Sequence, residues 1–232
     1  MTLLRKTLAP LLTIGVSISM MPLLAQVSGT SGKLLLAMAA NAKRMTQYEW
    51  KQRITVVRKG KPAEPIIDQV RFDSSGKLQR TTISAPPEMS GIRGRIQAGV
   101  KENVQQIMEL AGRYNKPQQM LEFIKRAQVT ETPGADLMRL QANGLIKPGD
   151  ATTMLVNPRT HLASHVDIKT DYDGGPMTIA QDYGSLPSGP NVMKSMNVSV
   201  PQKDLVIKVE SYDFAQQSSR ANGIQPGKNV NP

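Results

Sequence analysis

The chain has 232 residues, 29 of them basic and 18 acidic, with 4% aromatic residues and no cysteine. That length suits one domain with a substantial core; the missing thiols exclude disulfides, thiol catalysis, cysteine-bound metals and a lipid-modified cysteine anchor. The few aromatic residues argue against a stacking platform for single-stranded nucleic acid, and the net charge of +11 either solvates the surface or meets an anionic one.

Arg5 and Lys6 precede an apolar run over 8–24 that is interrupted by Pro10, Gly15 and Pro22. This is the layout of a secretory signal, and the run is short of the roughly 20 apolar residues a membrane-spanning helix needs. The sequence therefore predicts a signal peptide over 1–25, cleaved near Ala25, and a periplasmic product. The remaining part carries 27 basic against 18 acidic residues, or +9. It reads as a single domain over 26–214, followed by a disordered tail over 215–232 rich in Gln, Ser, Asn, Gly and Pro.

Ser31 can cap a helix in which Leu34, Leu35, Met38, Ala42 and Met45 recur at three- and four-residue steps. At Thr46 the period changes to two, so that Tyr48, Trp50, Gln52, Ile54 and Val56 share one face of a strand. Turns at Gly60-Lys61-Pro62 and Asp73-Ser74-Ser75-Gly76 separate it from strands over 66–72 and 78–84. After Pro86-Pro87 a long amphipathic helix runs from Ile92 through Ala111. Pro117 opens a shorter one with Met120, Leu121, Ile124 and Ala127 inward. Six strands follow, over 137–146, 152–157, 161–169, 177–183, 192–200 and 205–214, divided by turns such as Asp173-Gly174-Gly175. Strands joined by short turns pair antiparallel, and neither run suffices for a separate sandwich. The expected fold is α+β and mainly antiparallel β: a half-open curved sheet, or incomplete barrel, of about nine strands covered by two to three helices.

Chemistry is sparse. His161 and His165 are the only histidines; on one strand, four residues apart, their rings are separated by roughly 13 Å, too far to share an ion. Asp167, Asp171 and Asp173 before Gly174 lack the spacing of a calcium loop, and Asp173-Gly174 reads as a turn. Arg93 and Arg95, beside Gly91 and Gly94 at a helix entry, are candidates for an anion contact. No nucleophile has a plausible base, so the sequence predicts neither an enzyme nor a cofactor.

Residues 42–51, 70–81, 146–150, 186–190 and 209–214, read in order, resemble a group of uncharacterised bacterial exported proteins. The order helix, strands, helices, strands is in turn similar to the LolA/LolB lipoprotein carriers and to RseB-like regulators. That resemblance implies a half-open barrel lidded by helices with room for acyl chains, and it assigns no individual residue a role. On this reading Tyr48, Trp50, Ile54, Val56, Leu162, Val166 and Ile168 are candidates to line a ligand groove on the concave face. The flexible methionines of the chain suit such a surface. The expected function is a monomeric periplasmic binding module or carrier for a lipid or acylated protein, with an anionic membrane surface as a further partner and no nucleic acid. The alternative is an envelope protein-interaction or stress-sensing module without a ligand.

Overall fold

A computed structural model describes residues 29–87, 91–131 and 136–217. The expected signal peptide, its cleavage site and the end of the chain from 218 lie outside the described residues. Chain order is α1 (Gly29–Met45), β1 (Tyr48–Arg58), β2 (Lys61–Pro62), β3 (Ile66–Phe72) and β4 (Leu78–Ser84), then α2 (Gly91–Tyr114) and α3 (Pro117–Arg126). The rest is β5 (Gln128–Glu131), β6 (Met138–Asn143), β7 (Ala151–Val156), β8 (Ala163–Tyr172), β9 (Gly175–Ser185), β10 (Asn191–Val200) and β11 (Leu205–Gln216). Among the described residues all eleven strands form one sheet in the order β4-β3-β1-β11-β10-β9-β8-β7-β6-β5, with the two-residue β2 paired to β1. Every pairing is antiparallel, from β4–β3 at one edge to β5–β6 at the other. The α+β half-open sheet expected from sequence is the observed one, with two short strands, β2 and β5, added to the nine.

The two strand runs join through their ends. β1 lies beside β11 over ten register pairs, from Tyr48 opposite Gln216 to Arg58 opposite Leu205. The last strand consequently runs past Phe214, into the segment expected to be disordered, and Gln217 donates its backbone N–H to Gln47 and its side-chain amide to the Tyr48 and Phe72 carbonyls.

Strand phase follows the sequence period. Trp50, Gln52 and Ile54 are buried while Arg53 is exposed, and Val166, Ile168 and Thr170 are buried while Asp167, Lys169 and Asp171 are exposed. Ile54, Val166 and Ile168 of this buried set meet Leu34 and Leu35 of α1, Ile107, Ala111 and Tyr114 of α2, and Leu121, Phe123 and Ile124 of α3 in one core. All three helices therefore cover the same face of the sheet. The end of α2 is fixed by the Tyr114 hydroxyl, which donates to Asp150 at 2.6 Å; the same carboxylate oxygen accepts the backbone N–H groups of Ile146 and Lys147 at 3.1 and 2.7 Å.

Two local readings need correction. Ser31 lies inside the first turn of α1 and not at its cap, because the helix starts at Gly29. His161 is not on a strand: it sits in a turn built on Asn157, with φ of 56°, and β8 starts two residues later. The Asp173-Gly174 turn has positive φ at both residues (54° and 76°), the backbone of a two-residue hairpin, and it carries β8 and β9 out to Tyr172 and Gly175. Among the described residues no helix is long and apolar enough to cross a membrane.

Candidate functional site

Between α1, α3 and the sheet lies a cavity of about 260 Å³. From α1 come Met38, Asn41, Ala42 and Met45; Asn115 and Met120 close the α2–α3 side; the sheet supplies Trp50, Phe72, Leu78, Met154, Val166, Tyr183, Met193 and Phe214 among others. Five methionines, Met38, Met45, Met120, Met154 and Met193, thus face this space, Met154 from within the main core, whereas Met108, Met138, Met177 and Met196 are packed in that core away from it. Trp50 is 6% exposed; its ring stacks on Phe214 (centroids 5.9 Å apart, planes at 18°) and is tilted against Phe72 at the same distance. Burial raises the Tyr183 phenol to about 12, so it lines the wall as a neutral group and donates to Gln181 at 3.2 Å.

Three β-bulges shape the sheet wall. Strict alternation along β11, β10 and β8 would aim Asp213, Lys194 and Ser164 inward. At each of these places one extra residue interrupts the register, between Tyr212 and Ala215, between Met193 and Ser195, and between Ala163 and His165. A bulge re-aims the side chains beside it. As a result Phe214, Met193 and Ala163 line the cavity, while Asp213 turns with φ of 52° to bond Lys51 at 3.0 Å. Lys194 lies over the Phe214 ring, 4.9 Å from its centre.

One row of the concave face is polar. Gln52 stands opposite Asp68 on β3 and Ser211 on β11, and Asp68 stands opposite Thr82 on β4. Gln52 donates to the Ser211 hydroxyl at 3.2 Å, Thr82 donates to Asp68 at 2.8 Å, and Arg80 reaches Asp68 at 3.8 Å with both of these charged side chains about nine-tenths buried. Burial lowers the Arg80 guanidinium from its ordinary value, and the Asp68 charge opposes that shift. The row separates a small apolar cluster of Trp50, Val70, Phe72 and Leu78 from the main core. Gln52, Arg80 and Ser211 all line the cavity.

α1 is held over this space by a reciprocal pair. Asn41 donates to the Asn191 carbonyl and accepts the Asn191 N–H, both at 2.7 Å, and Asn191 in turn donates to the Ala163 carbonyl at the β8 bulge.

Of the candidate lining residues, the structure brings Trp50, Leu162 and Val166 together at the cavity. Ile54 and Ile168 are packed in the main core with Val56 at its margin, and Tyr48 places its hydroxyl beside Gly189 in the β9–β10 turn. Arg93 and Arg95 fall in the first turns of α2, where their side chains lie outside the described residues. Period-two reading had placed Gln52 on the inner face, but nothing local marked it as part of a row, since its partners lie 16 and 159 residues away.

On the outer face, His165 is gripped between two carboxylates, Nδ1 to Asp182 at 2.7 Å and Nε2 to Asp167 at 3.0 Å. Burial opposes the charged ring, but the two carboxylate bonds outweigh it and raise its pKa. Both ring nitrogens are occupied, so neither is free to act as a base. Among the described residues no cluster of three or more His, Cys, Asp or Glu could hold a metal.

A half-open antiparallel sheet, with three helices and an apolar cavity on one face, defines the class of this molecule. No family model matches the sequence, and no curated protein matches it. Among solved structures the chain is similar to a DUF1329 family protein from Desulfovibrio piger, with 11% identity, a TM-score of 0.44, and 83% of this chain and 95% of that one covered. It is also similar to a LolA superfamily protein from Nitrosomonas europaea (10% identity, TM-score 0.41, 82% and 95% covered). A third similar structure is an outer membrane lipoprotein-sorting protein domain from Vibrio parahaemolyticus (10%, TM-score 0.40, 82% and 94%).

Proposed function

We propose that residues 26–214 act as a single periplasmic domain, a binding module or carrier that holds an apolar or acylated ligand between α1, α3 and the sheet. The observation that carries this reading is the cavity itself. Protein interiors leave few voids larger than a water molecule, and a space of about 260 Å³ walled by five methionines and four aromatic rings is the kind of surface that binds apolar molecules. It is near the lower end of the roughly 300–1,000 Å³ usual for ligand sites. The methionines, each with three rotatable bonds, can make room for a longer chain. The cations and apolar run at the N-terminus support export, and the positive balance of the remaining sequence supports approach to an anionic membrane surface. The occupant is a lipid or the acyl chain of a lipid-modified protein, and the reaction is binding and release with no bond made or broken.

Trp50 is the only tryptophan and lies on the cavity wall, so it reports occupancy directly. Titrating the full chain with a lysolipid below its micelle concentration should change Trp50 emission and saturate at one ligand per chain. Native mass spectrometry of protein taken from its own envelope should show the retained ligand as added mass. Emission indifferent to every lipid tried, together with a bare mass, would favour the interaction module without a ligand.

A further inference from the structure

The buried polar row is not accounted for by an apolar ligand alone. A hydrocarbon chain laid across it would leave Gln52 and Arg80 facing carbon, and burying polar groups without partners is unfavourable. Two atoms of the row have no hydrogen-bond partner among the described residues: Gln52 Oε1, an acceptor, and Arg80 Nε, a donor. Gln52 is 3% exposed, the Arg80 side chain is 10% exposed, and both residues line the cavity.

The other atoms of the row explain why these two are left over. The Gln52 amide nitrogen is engaged by Ser211, and the Asp68 carboxylate is shared between Thr82 and Arg80. Asp68 already balances the charge of Arg80, so a carboxylate or phosphate placed here would bring an uncompensated negative charge beside Asp68. It would also offer no proton to Gln52. An ester or ketone could accept from Arg80 but would likewise leave Gln52 Oε1 unpaired. A secondary amide has a carbonyl for Arg80, an N–H for Gln52 and no charge. The two apolar compartments on either side of the row, the Trp50–Phe72 cluster and the methionine-lined wall toward Met154 and Met193, leave room for apolar groups on both sides of that linkage.

We propose that Gln52 and Arg80 form a hydrogen-bonding subsite that selects, among ligands with an apolar tail, those whose tail is joined through an uncharged secondary amide. This inference rests on the cavity being a ligand site. It makes N-acylated amines the favoured ligand class, ahead of free fatty acids and acyl esters.

The test compares three probes of matched length with the full chain: N-methyldecanamide, methyl decanoate and decanoate, each followed by Trp50 emission. The amide should bind about tenfold more tightly than either of the others, the worth of one hydrogen bond to an otherwise unpaired buried group. Gln52→Met keeps the bulk and removes the acceptor, and should bring amide and ester to within about twofold. Equal binding of all three by the unaltered protein overturns the subsite while leaving the ligand site standing. A preference for the ester or for decanoate also overturns it, because Gln52 would then turn its NH₂ to the cavity, or Arg80 would act as an unbalanced cation. If none of the three binds, the ligand site fails, and the subsite with it. Should Gln52→Met not fold, the ranking of the three probes by the unaltered protein decides alone.

Discussion

The two apolar clusters on the concave face meet along β1, draw otherwise on different strands, and differ in what covers them. The main core draws side chains from all three helices and from β1 and β6 to β11, and Ile107, Leu140, Val156, Ile179 and Ile207 are fully excluded from solvent. The smaller cluster of Trp50, Val70, Phe72 and Leu78 is backed by no buried helix residue; only Met45 and Phe214, both half-buried, pack against it. A close-packed interior makes stability, and a loosely lidded one leaves space. The polar row through Gln52 and Asp68 marks where one gives way to the other.

The sharpest way to break this contrast is a deletion on each side. Ile207→Ala, in β11 opposite Val56 and Val198, should cost about 2–5 kcal/mol in a denaturant melt and leave Trp50 emission of the folded protein unchanged. Phe214→Ala, one strand row beyond the polar belt, should cost about 2 kcal/mol or less, since the ring is only half-buried, the stacking itself being worth about 0.5–1.5 kcal/mol. It should shift Trp50 emission to the red, as the stacked ring that screens it is lost. If Phe214→Ala were as costly as Ile207→Ala, the small cluster would be core and not a ligand wall.

The smallest effect belongs to the outer face, which neither cluster touches. The folded-state pKa of His165 is raised above its ordinary 6.5 and that of Asp182 lowered below its ordinary 3.8. The His165 contribution is therefore complete below about pH 6.5 and is lost as pH rises through the raised folded value; the Asp182 contribution is present above 3.8 and is lost as pH falls. Melts of the unaltered protein and His165→Gln should differ most near pH 5 and converge as the pH rises through the raised folded-state value of His165. Unchanged lipid titration in this variant would show that the outer face and the cavity are independent.

How much of this was legible in the sequence depends on range. The alternation from Tyr48 to Val56 gave the right inner face because it is a local property of one strand. The three bulges were not legible: Asp213, Lys194 and Ser164 break alternation by one residue, and a shift that small reverses every side chain beyond it. Four of the seven candidate lining residues lie away from the cavity: Tyr48 at the β9–β10 turn, and Ile54, Val56 and Ile168, which share the face of Trp50 and Val166 but lie farther along their strands, in the main core or at its margin. The ion pair of Arg80 with Asp68 depends on pairing between β3 and β4, and its placement at a cavity depends on α1, which no pattern within either strand reports. β5 was missed because four residues, Gln128–Glu131, carry too little period to be read.

The pairing of the first strand with the last also sets the order in which the molecule can assemble. A chain delivered from its N-terminus presents β1 with one side satisfied by β3 and the other open until some 150 further residues have arrived. Contacts of such long sequence separation form slowly, and an open strand edge invites pairing with another chain in the interval. Along β1 the residues on the outer face are Glu49, Lys51 and Arg53, which in the finished sheet meet β11, with Lys51 bonded to Asp213 and Arg53 to Glu210. Before β11 arrives, Lys51 and Arg53 stand on an open strand edge, and charged side chains there discourage edge-to-edge pairing. The cross-strand ion pairs are worth little to the completed protein; what the same cations contribute before β11 arrives is charge on an otherwise open edge.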